Sequence, residues 1–447
     1  MYPASSRSRD SHGITSGTST QTTESDMPRR LYLRQKPVCP EGLDQEVFRV
    51  FTRTGKVPCS AMDIAGIAVW AIKNREDAAL DALLNSGDTK HLDLACRNLN
   101  AGDAVILAHA LKTNTTLCSL HLGMNRLESK GVNVIAAALE EHPALLELDL
   151  RSNRIEPDGF EGIAKLLEKT PCLLTLNLES NEAGCEGAGL IAQALLKNNV
   201  LTDLNLAGNC ISSDGAEYIA IMLATNTALT VLSLGCNEID PQGGLFIAAM
   251  LEKNTTLKTL HVGFNTIGPI SANAIFAAAS VHGSLKSLDL AGNELDHSCA
   301  ASIGALLHRN GSLSTLDLRA NRMGVNDDAS RMEFTKAVVS GLDGNTVLTS
   351  LHLDFNNLDS YLNHATPATL RGRIPDLLNR NRTLEALSKK DAHACSQLYP
   401  DVPTPLDVGG VMATAMIMAA PDTAAHERMM VEVLCAVNLL APQVQPQ

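Results

Sequence analysis

Acidic, histidine and arginine side chains, which can transfer protons, bind metals or pair with charged partners, recur in this chain at intervals of 28 residues. The most regular row consists of Asp93, His121, Asp149, Asn177, Asn205, Ser233, His261, Asp289, Asp317 and, after a longer interval, His352. The residues two positions earlier in their repeats include Glu147 and Asp203, and those two positions later include Arg151, Glu179, Arg319 and Asp354. If the three rows share one face, carboxylates outnumber arginines on it.

This arrangement favours binding of a partner over catalysis or metal binding. Asp289 and Asp317 are neighbours in the row, but paired carboxylates rarely do acid–base work on an open, wet face. His121 stands between Asp93 and Asp149 without a third strong ligand, which disfavours a metal site. We therefore expect no catalytic residue, no metal and no cofactor, and instead a face of one sign that attracts a basic protein surface. The alternative is that these polar side chains only solvate the face.

The elements that position these rows follow from a repeat of apolar residues. A leucine recurs at Leu92, Leu120, Leu148, Leu176, Leu204, Leu232, Leu260, Leu288, Leu316 and Leu351, and an asparagine at Asn125, Asn153, Asn181, Asn209, Asn237, Asn265, Asn293, Asn321 and Asn356. A second apolar residue two positions after each leucine marks one face of a short strand. Apolar pairs spaced by four, such as Ile135 and Leu139, mark one face of a helix. Each unit is predicted to be strand, turn, helix, turn.

Such units are predicted to stack, because a single strand–helix pair cannot bury its own apolar faces. Strands stack about 4.8 Å apart and helices about 8–10 Å apart, so the stack should bend with the sheet on the inside. The asparagine at the end of each strand is predicted to satisfy backbone groups of successive turns, as a ladder. The interval between Leu316 and Leu351 is 35, and we place the seven additional residues around 324–330.

The motif in "LCSLHLGMNRL" (117–127) and "LTDLNLAGNCI" (201–211), with helix endings such as "KTNTTL" (112–117), resembles leucine-rich repeats of the ribonuclease-inhibitor type. The resemblance covers roughly residues 85–390 and implies an α/β fold, a curved solenoid or horseshoe with a parallel concave sheet and convex helices. The family includes the cytosolic ribonuclease inhibitor, sensor-receptor repeat domains and activators of the small GTPase Ran.

A non-catalytic protein-binding scaffold is the function that the resemblance implies first. Two alternatives stay open. One is GTPase activation of the Ran-activator type, for which Arg126, Arg154 and Arg322 follow the repeated asparagines. The other is a cytosolic regulatory or immune-type scaffold.

The two ends of the chain lack the repeat. Residues 1–40 are rich in Ser and Thr and predict a disordered tail, whose composition resembles the start of a bacterial type III secreted effector. Residues 41–88 are predicted to form a helical N-terminal cap, residues 89–387 the repeat array, and residues 388–447 a helical C-terminal cap or tail. If the chain is bacterial, this implies a virulence effector secreted into the host cytoplasm; otherwise we expect a cytoplasmic protein.

The composition disfavours several classes of protein. With 49 acidic and 36 basic residues, the net charge of −13 disfavours a nucleic-acid partner. The eleven cysteines are odd in number and contain no CxxC pair, which predicts reduced thiols. No apolar stretch reaches the length of about 18 residues that a membrane span needs, and the start has no apolar signal segment. We expect a monomer with a basic protein partner.

Three aromatic residues leave two interpretations open. Trp70, the only tryptophan, is expected in the core of the N-terminal cap, with a partner anchor as the alternative. Phe264 and Phe355 occupy matching places directly before a repeated asparagine, where they either anchor a partner or pack in the turn.

Overall fold

A parallel sheet of ten short strands runs through the described part of the chain. The structure is a computed structural model that describes residues 38–39, 43–54, 61–87, 89–324, 328–358 and 373–398. Each strand pairs with the next in chain order. The strands are β1 (His91–Asp93), β2 (Ser119–His121), β3 (Glu147–Asp149), β4 (Thr175–Asn177), β5 (Asp203–Asn205), β6 (Val231–Ser233), β7 (Thr259–His261), β8 (Ser287–Asp289), β9 (Thr315–Asp317) and β10 (Ser350–His352). The register sets each repeated leucine beside the next, beginning with Leu92 and Leu120.

Helices follow the strands and pack against one another on the opposite side of the solenoid. They are α1 (Gln45–Thr54), α2 (Ala61–Asn74), α3 (Asp77–Leu84), α4 (Ala101–Leu111), α5 (Glu128–Leu139), α6 (Pro157–Lys169), α7 (Gly184–Leu195), α8 (Ser212–Leu223), α9 (Pro241–Leu251), α10 (Gly268–Val281), α11 (Ala300–Arg309), α12 (Asp328–Gly344) and α13 (Arg373–Leu398). The predicted α/β solenoid is confirmed. It curves toward the sheet because strands stack more closely than helices.

The apolar residues of the repeat form one core between the sheet and the helices. In the repeat that begins with β2, Leu120, Leu122, Leu127, Ile135 and Leu139 are all buried. Burying a leucine side chain contributes about 1.5–3 kcal/mol. Since each unit packs on both neighbours, the core continues through the array.

The predicted asparagine ladder is confirmed at the turn after each strand from β2 to β10; the turn after β1 has Arg97 at that position. Asn125 Oδ1 accepts hydrogen bonds from the backbone N–H groups of Arg97 and Leu99, both at 3.0 Å. Its Nδ2 donates to the carbonyls of Leu94 at 2.9 Å and Leu122 at 2.8 Å. Each ladder asparagine therefore links its own turn to the turn of the preceding repeat.

A second buried side chain closes the turn after each helix. Asn114 Oδ1 accepts from the N–H groups of Thr116 at 3.1 Å and Leu117 at 2.8 Å, and its Nδ2 donates to the Leu84 carbonyl at 2.7 Å. Asparagines occupy the same place at Asn198, Asn226, Asn254, Asn310 and Asn345.

Histidine replaces the asparagine in two of these turns. The Nδ1 atoms of His142 and His282 accept from the N–H groups of Leu145 and Leu285, each at 3.1 Å. Burial lowers the pKa of both imidazoles, and the Asn254 backbone opposes this at His282. Both rings must be unprotonated at Nδ1 to accept these hydrogen bonds.

The helices α1–α3 precede the first strand and cover its end of the core. Trp70 is buried, and its ring meets that of Phe48 edge to face with centroids 4.9 Å apart, so it is a core residue. Helix α13 runs past residue 388 to Leu398. Apart from residues 38–39, the predicted tail at 1–40 lies outside the described residues, as do residues 399–447 of the predicted C-terminal segment. None of the described helices combines the length and apolar character needed to cross a membrane.

Candidate protein-binding surface

The three rows identified in the sequence lie side by side on the inner side of the sheet, here termed the concave face. Neighbouring strands pair residue by residue, which sets Asp93 beside His121 and His121 beside Asp149. At the other end Asp289 lies beside Asp317. The short strands thus bring together all thirteen residues predicted as a protein-binding site. These are Asp93, His121, Glu147, Asp149, Arg151, Glu179, Asp203, His261, Asp289, Asp317, Arg319, His352 and Asp354.

Aspartate and asparagine in the middle row also have a local structural role. In Asp93, Asp149, Asn177, Asn205, Asp289 and Asp317, Oδ1 accepts a hydrogen bond from the backbone N–H group two residues later, at 2.9–3.0 Å. This is the bond by which Asx side chains stabilise a turn. Of the four middle-row positions with another residue type, those at 121, 233 and 261 are followed two residues later by glycine, and that at 352 by Asp354. Some of the acidic side chains of this face therefore stabilise the ends of their strands.

Asp317 is neutralised within the chain. Arg319 donates from Nε to both carboxylate oxygens at 2.9 and 3.0 Å and from Nη2 at 2.6 Å, and His352 Nδ1 lies 3.4 Å from Oδ2. Burial of Asp317, which is 6% exposed, opposes its ionisation, but the hydrogen bonds from Arg319 and His352 hold its pKa below the ordinary value. The sequence-based picture of Asp289 and Asp317 as two adjacent free charges is therefore replaced by one open and one neutralised carboxylate.

Asp149 has a similar partner at the other end of the face. It is 8% exposed, its Oδ1 accepts from the Arg151 N–H group at 3.0 Å, and Arg151 Nε lies 3.4 Å from Oδ2. The Arg151 side chain crosses Gly123, where an added Cβ would come within 2.9 Å of Arg151 Cγ. Glycine at 123 thus leaves room for the arginine to cover Asp149.

The histidines of the concave face contact carboxylates on neighbouring strands. His121 Nε2 lies 3.1 Å from Glu147 Oε1, so its ion-pair partner is Glu147 and not the two aspartates beside it in the row. His261 Nδ1 lies 3.5 Å from Asp289 Oδ2. Glu147 and Asp289 therefore each have a histidine partner on the preceding strand.

Ser350, His352 and Asp317 lie in the order of a Ser–His–Asp relay. Ser350 Oγ is 2.7 Å from His352 Nε2, and His352 Nδ1 is 3.4 Å from Asp317 Oδ2. In a hydrolytic relay the carboxylate must stabilise an imidazolium. Arg319 already neutralises this carboxylate, so we interpret the arrangement as local hydrogen bonding between side chains on one face of adjacent strands.

Five carboxylates on the concave face keep their negative charge available. Within the described residues, no Lys or Arg lies within ion-pair distance of Asp93, Glu179, Asp203, Asp289 or Asp354. Burial raises the pKa of Asp203, and the nearby His261 opposes that shift. Glu179 accepts a hydrogen bond from Asn205 Nδ2 at 3.1 Å. After internal pairing, these five groups give the face its surplus negative charge.

The residue before each ladder asparagine, together with Cys96 before Arg97 in the first repeat, forms a fourth row at the lip of the concave face. All ten of these residues have a left-handed backbone with φ between 53° and 64°, namely Cys96, Met124, Ser152, Ser180, Gly208, Cys236, Phe264, Gly292, Ala320 and Phe355. Large side chains at these positions point to solvent. Phe264 is 61% exposed, Phe355 77% and Met124 54%. The two phenylalanines are therefore not buried in the turn.

No group of three His, Cys, Asp or Glu side chains among the described residues is arranged to hold a metal ion. Within the array, Cys96, Cys118, Cys172, Cys185, Cys210, Cys236 and Cys299 form no disulfide.

Comparisons with known proteins agree with the repeat. A family model described as "Leucine Rich repeat" matches residues 113–136, 142–164, 197–220, 225–248 and 253–276, so leucine-rich repeats are present in this chain. Among curated proteins, no match to the sequence was found.

Two solved structures of repeat domains are similar to part of the chain. One is titled "Leiomodin-1 Actin-Binding Site 2 (ABS2)", with 19% identity and a TM-score of 0.30 over 47% of this chain and 96% of that one. The other is the tropomodulin C-terminal domain of Caenorhabditis elegans, with 14% identity and a TM-score of 0.31 over 46% of this chain and 98% of that one. Similarity at this level carries no inference about a partner.

Proposed function

We propose that this chain, whose leucine-rich repeats form an open concave face, is a monomeric, non-catalytic scaffold that binds another protein through that face. The supporting observation is the set of five carboxylates that no Lys or Arg of the described residues neutralises. On a concave surface, charges of one sign reinforce one another's field and attract a basic partner. The 28-residue period supports the finer proposal that the repeats are of the ribonuclease-inhibitor type.

The acidic face is tested by changing charge while keeping the strand-end hydrogen bonds. Glu179→Lys and Asp354→Lys reverse two charges outside the Asx turns. Asp289→Asn removes a charge but retains the oxygen that accepts from the Ala291 N–H group. A matched control carries Glu161→Lys, Glu168→Lys and Glu252→Gln, which cause the same change in net charge at exposed positions on or directly after the repeat helices.

The measurement is affinity capture from a cell extract with identification of the captured proteins by mass spectrometry. We expect wild type and the helix-side control to capture the same basic protein, and the concave variant to lose it. Binding should weaken with rising salt because exposed charges are screened. Equal capture by all three proteins would reject the concave face as the binding site.

Delivery into a host cell is a separate proposal, supported by the Ser/Thr-rich composition of residues 1–40. It assigns the scaffold to the host cytoplasm; without delivery, the scaffold acts in the cytoplasm of its own cell. A translocation reporter fused to residues 1–60 tests it, and a reporter retained in the producing cell contradicts it.

The alternative of GTPase activation gains no specific support from the geometry. Of the three loop arginines considered for it, Arg322 lies 3.2 Å from Glu294 in an ion pair. A single-turnover GTP hydrolysis assay distinguishes the two functions, since a scaffold leaves the hydrolysis rate unchanged.

A further inference from the structure

We propose that the lip formed by Phe264, Gly292, Ala320 and Phe355, termed the phenylalanine rim, docks the apolar side of an amphipathic helix whose flank carries Lys or Arg. This inference rests on the protein-binding function proposed above and specifies the chemistry of the partner. The four residues are consecutive members of the left-handed row and precede the ladder asparagines of four adjacent repeats.

The two phenylalanines occupy positions that disfavour them on two counts. Their φ angles are 56° and 61°, and a bulky residue with positive φ is a backbone outlier. Both rings also remain largely exposed, so burial within the chain does not offset that cost. Apart from Met124, the other repeats place glycine, serine, alanine or cysteine at the same point. Strained, exposed aromatic residues are suited to burial by a partner.

The space around the rings is open. Phe264 and Phe355 are three strand spacings apart, about 14 Å. Between them stand Gly292 and the exposed Ala320. The Phe264 ring leans over Gly292, where an added Cβ would lie 2.7 Å from Phe264 Cδ1. A helix is about 10–12 Å wide with its side chains, so it can lie over Ala320 and contact both rings.

The charges beside the rim specify the flank of that helix. Asp354 directly precedes Phe355, is exposed, and has no Lys or Arg of the described residues within ion-pair distance. Asp289 has only His261 as an ion-pair partner there, at 3.5 Å. The positive charge of Arg319 is engaged by Asp317 at 2.6 Å. The rim therefore borders surplus negative charge, which complements basic residues next to the apolar side of the partner.

Met124 provides a matched control in the same row. It is exposed, has φ of 57°, and its Sδ lies 3.3 Å from Cys96 Sγ. It is far along the array from Phe264, since four strands lie between β2 and β7. A change at Met124 alters the same kind of backbone position without touching the rim.

The probe is a fluorescein-labelled peptide of 14 residues made of leucine and lysine. The leucines recur every three or four positions and so share one side of a helix, and the lysines occupy the other positions. A second peptide replaces every leucine with alanine, and a third replaces every lysine with glutamate. Binding to the full chain is measured by fluorescence anisotropy. The proteins are wild type, Phe264→Gly/Phe355→Gly, Met124→Gly, the concave charge variant and the helix-side control described above.

We expect wild type to bind the Leu/Lys peptide at least tenfold more tightly than either control peptide. The double phenylalanine variant should lose at least tenfold in affinity for it, while Met124→Gly and the helix-side control retain it. Binding of the Ala/Lys peptide should be weaker than in wild type only for the concave charge variant. The Tm of the double phenylalanine variant should equal or exceed that of wild type, because glycine tolerates positive φ.

Other results overturn the inference. If the double phenylalanine variant binds the Leu/Lys peptide like wild type, or wild type does not prefer that peptide, the rim is not the docking site. A lowered Tm would show that the rings have a structural role. If one of these results excludes the rim, but the concave charge variant still binds the Ala/Lys peptide more weakly than wild type does, the scaffold proposal stands without the rim. If the concave charge variant binds both lysine peptides like wild type, the proposal that the acidic concave face binds a basic partner is itself contradicted.

Discussion

Each repeat turns twice, once after its strand and once after its helix, and both turns leave backbone N–H and C=O groups for a buried side chain to satisfy. The strand turn uses asparagine in every repeat after the first, from Asn125 to Asn356. The helix turn uses asparagine at most positions, but His142 and His282 replace it in two repeats and Thr170 in another.

The hydrogen bonds explain why the helix turn accepts histidine or threonine in place of asparagine, whereas the strand turns from β2 to β10 keep asparagine. At the strand turn, Asn237 Oδ1 accepts from Asn209 and Ile211 of the preceding repeat, and its Nδ2 donates to Leu206 of that repeat as well. At the helix turn, Asn226 Oδ1 accepts from Ala228 and Leu229 of its own turn, and only its Nδ2 reaches the preceding repeat, at the Leu195 and Asn198 carbonyls. Imidazole can meet this demand because its two nitrogens diverge: in His142, Nδ1 accepts within the turn and Nε2 lies 3.1 Å from Asn114 Oδ1 of the preceding repeat. At the strand turn both the acceptor and the donor must face the preceding repeat, which the diverging ring nitrogens cannot do in the geometry of an amide.

The strand turn should show the largest effect. We expect Asn237→Ala to lower the free energy of unfolding by about 3–4 kcal/mol, because it leaves several buried backbone groups without partners. Asn237→His should cost nearly as much, since imidazole cannot reproduce both sets of bonds. Urea unfolding followed by circular dichroism measures both. A histidine variant close to wild type would mean that the two turns do not differ in strictness.

The helix turn should show a smaller and graded effect. We expect Asn226→Ala to cost about 2 kcal/mol and Asn226→His about 1 kcal/mol, because Nδ1 of the ring can accept from Leu229 as His142 accepts from Leu145. The same unfolding assay applies, with Asn237→His as the matched substitution. Equal losses for the two histidine variants would contradict the comparison.

The two natural histidines should make the helix turn sensitive to acid. Burial lowers their folded-state pKa below the unfolded value of about 6.5, so the unfolded chain binds more protons in that window. Their contribution is fully present above about pH 6.5 and is lost as the pH falls toward the folded-state pKa.

We therefore expect the Tm of wild type to fall more steeply between pH 7.5 and 5.5 than that of His142→Asn/His282→Asn. The variant His308→Asn, at an exposed position on α11, should follow wild type. Parallel pH profiles for wild type and the double variant would exclude these two histidines as the cause.

The period of the sequence was sufficient to predict the strand turn. The residue types of Leu120, Leu122 and Asn125 recur in nearly every unit, with Arg97 and Val262 as the exceptions, and a regular interval sets both the strand register and the position of the ladder. The point at which each helix begins was not predicted. Some helices follow an extended cap residue, such as Asn100 or Asp240, and others begin directly after a helical residue, such as Leu127. This depends on local turn chemistry that varies between repeats.

The sequence predicted which residues lie on the concave face but not which of them form ion pairs. Alternation on the strand indicates which residues share a face, whereas ion pairs depend on side-chain rotamers. The signal was nonetheless present in Asp149–Leu150–Arg151 and Asp317–Leu318–Arg319, because residues two apart on a strand point to the same side. Asp289 is followed at that distance by alanine, and no arginine of the described residues lies within ion-pair distance of it.

The smallest effect should come from the residue before the ladder asparagine, which varies although its backbone does not. Ala320 is exposed with φ of 53°, and Gly208 has φ of 64° with no atom nearer than 3.4 Å to an added Cβ. A left-handed backbone costs a non-glycine residue about 1–2 kcal/mol, and the greater chain entropy of unfolded glycine offsets part of this. We expect Ala320→Gly to stabilise by about 0.5 kcal/mol and Gly208→Ala to destabilise by a similar amount. The two urea midpoints should therefore move in opposite directions. Shifts of the same sign would mean that contacts at the lip, rather than the shared backbone conformation, determine which residues this position accepts.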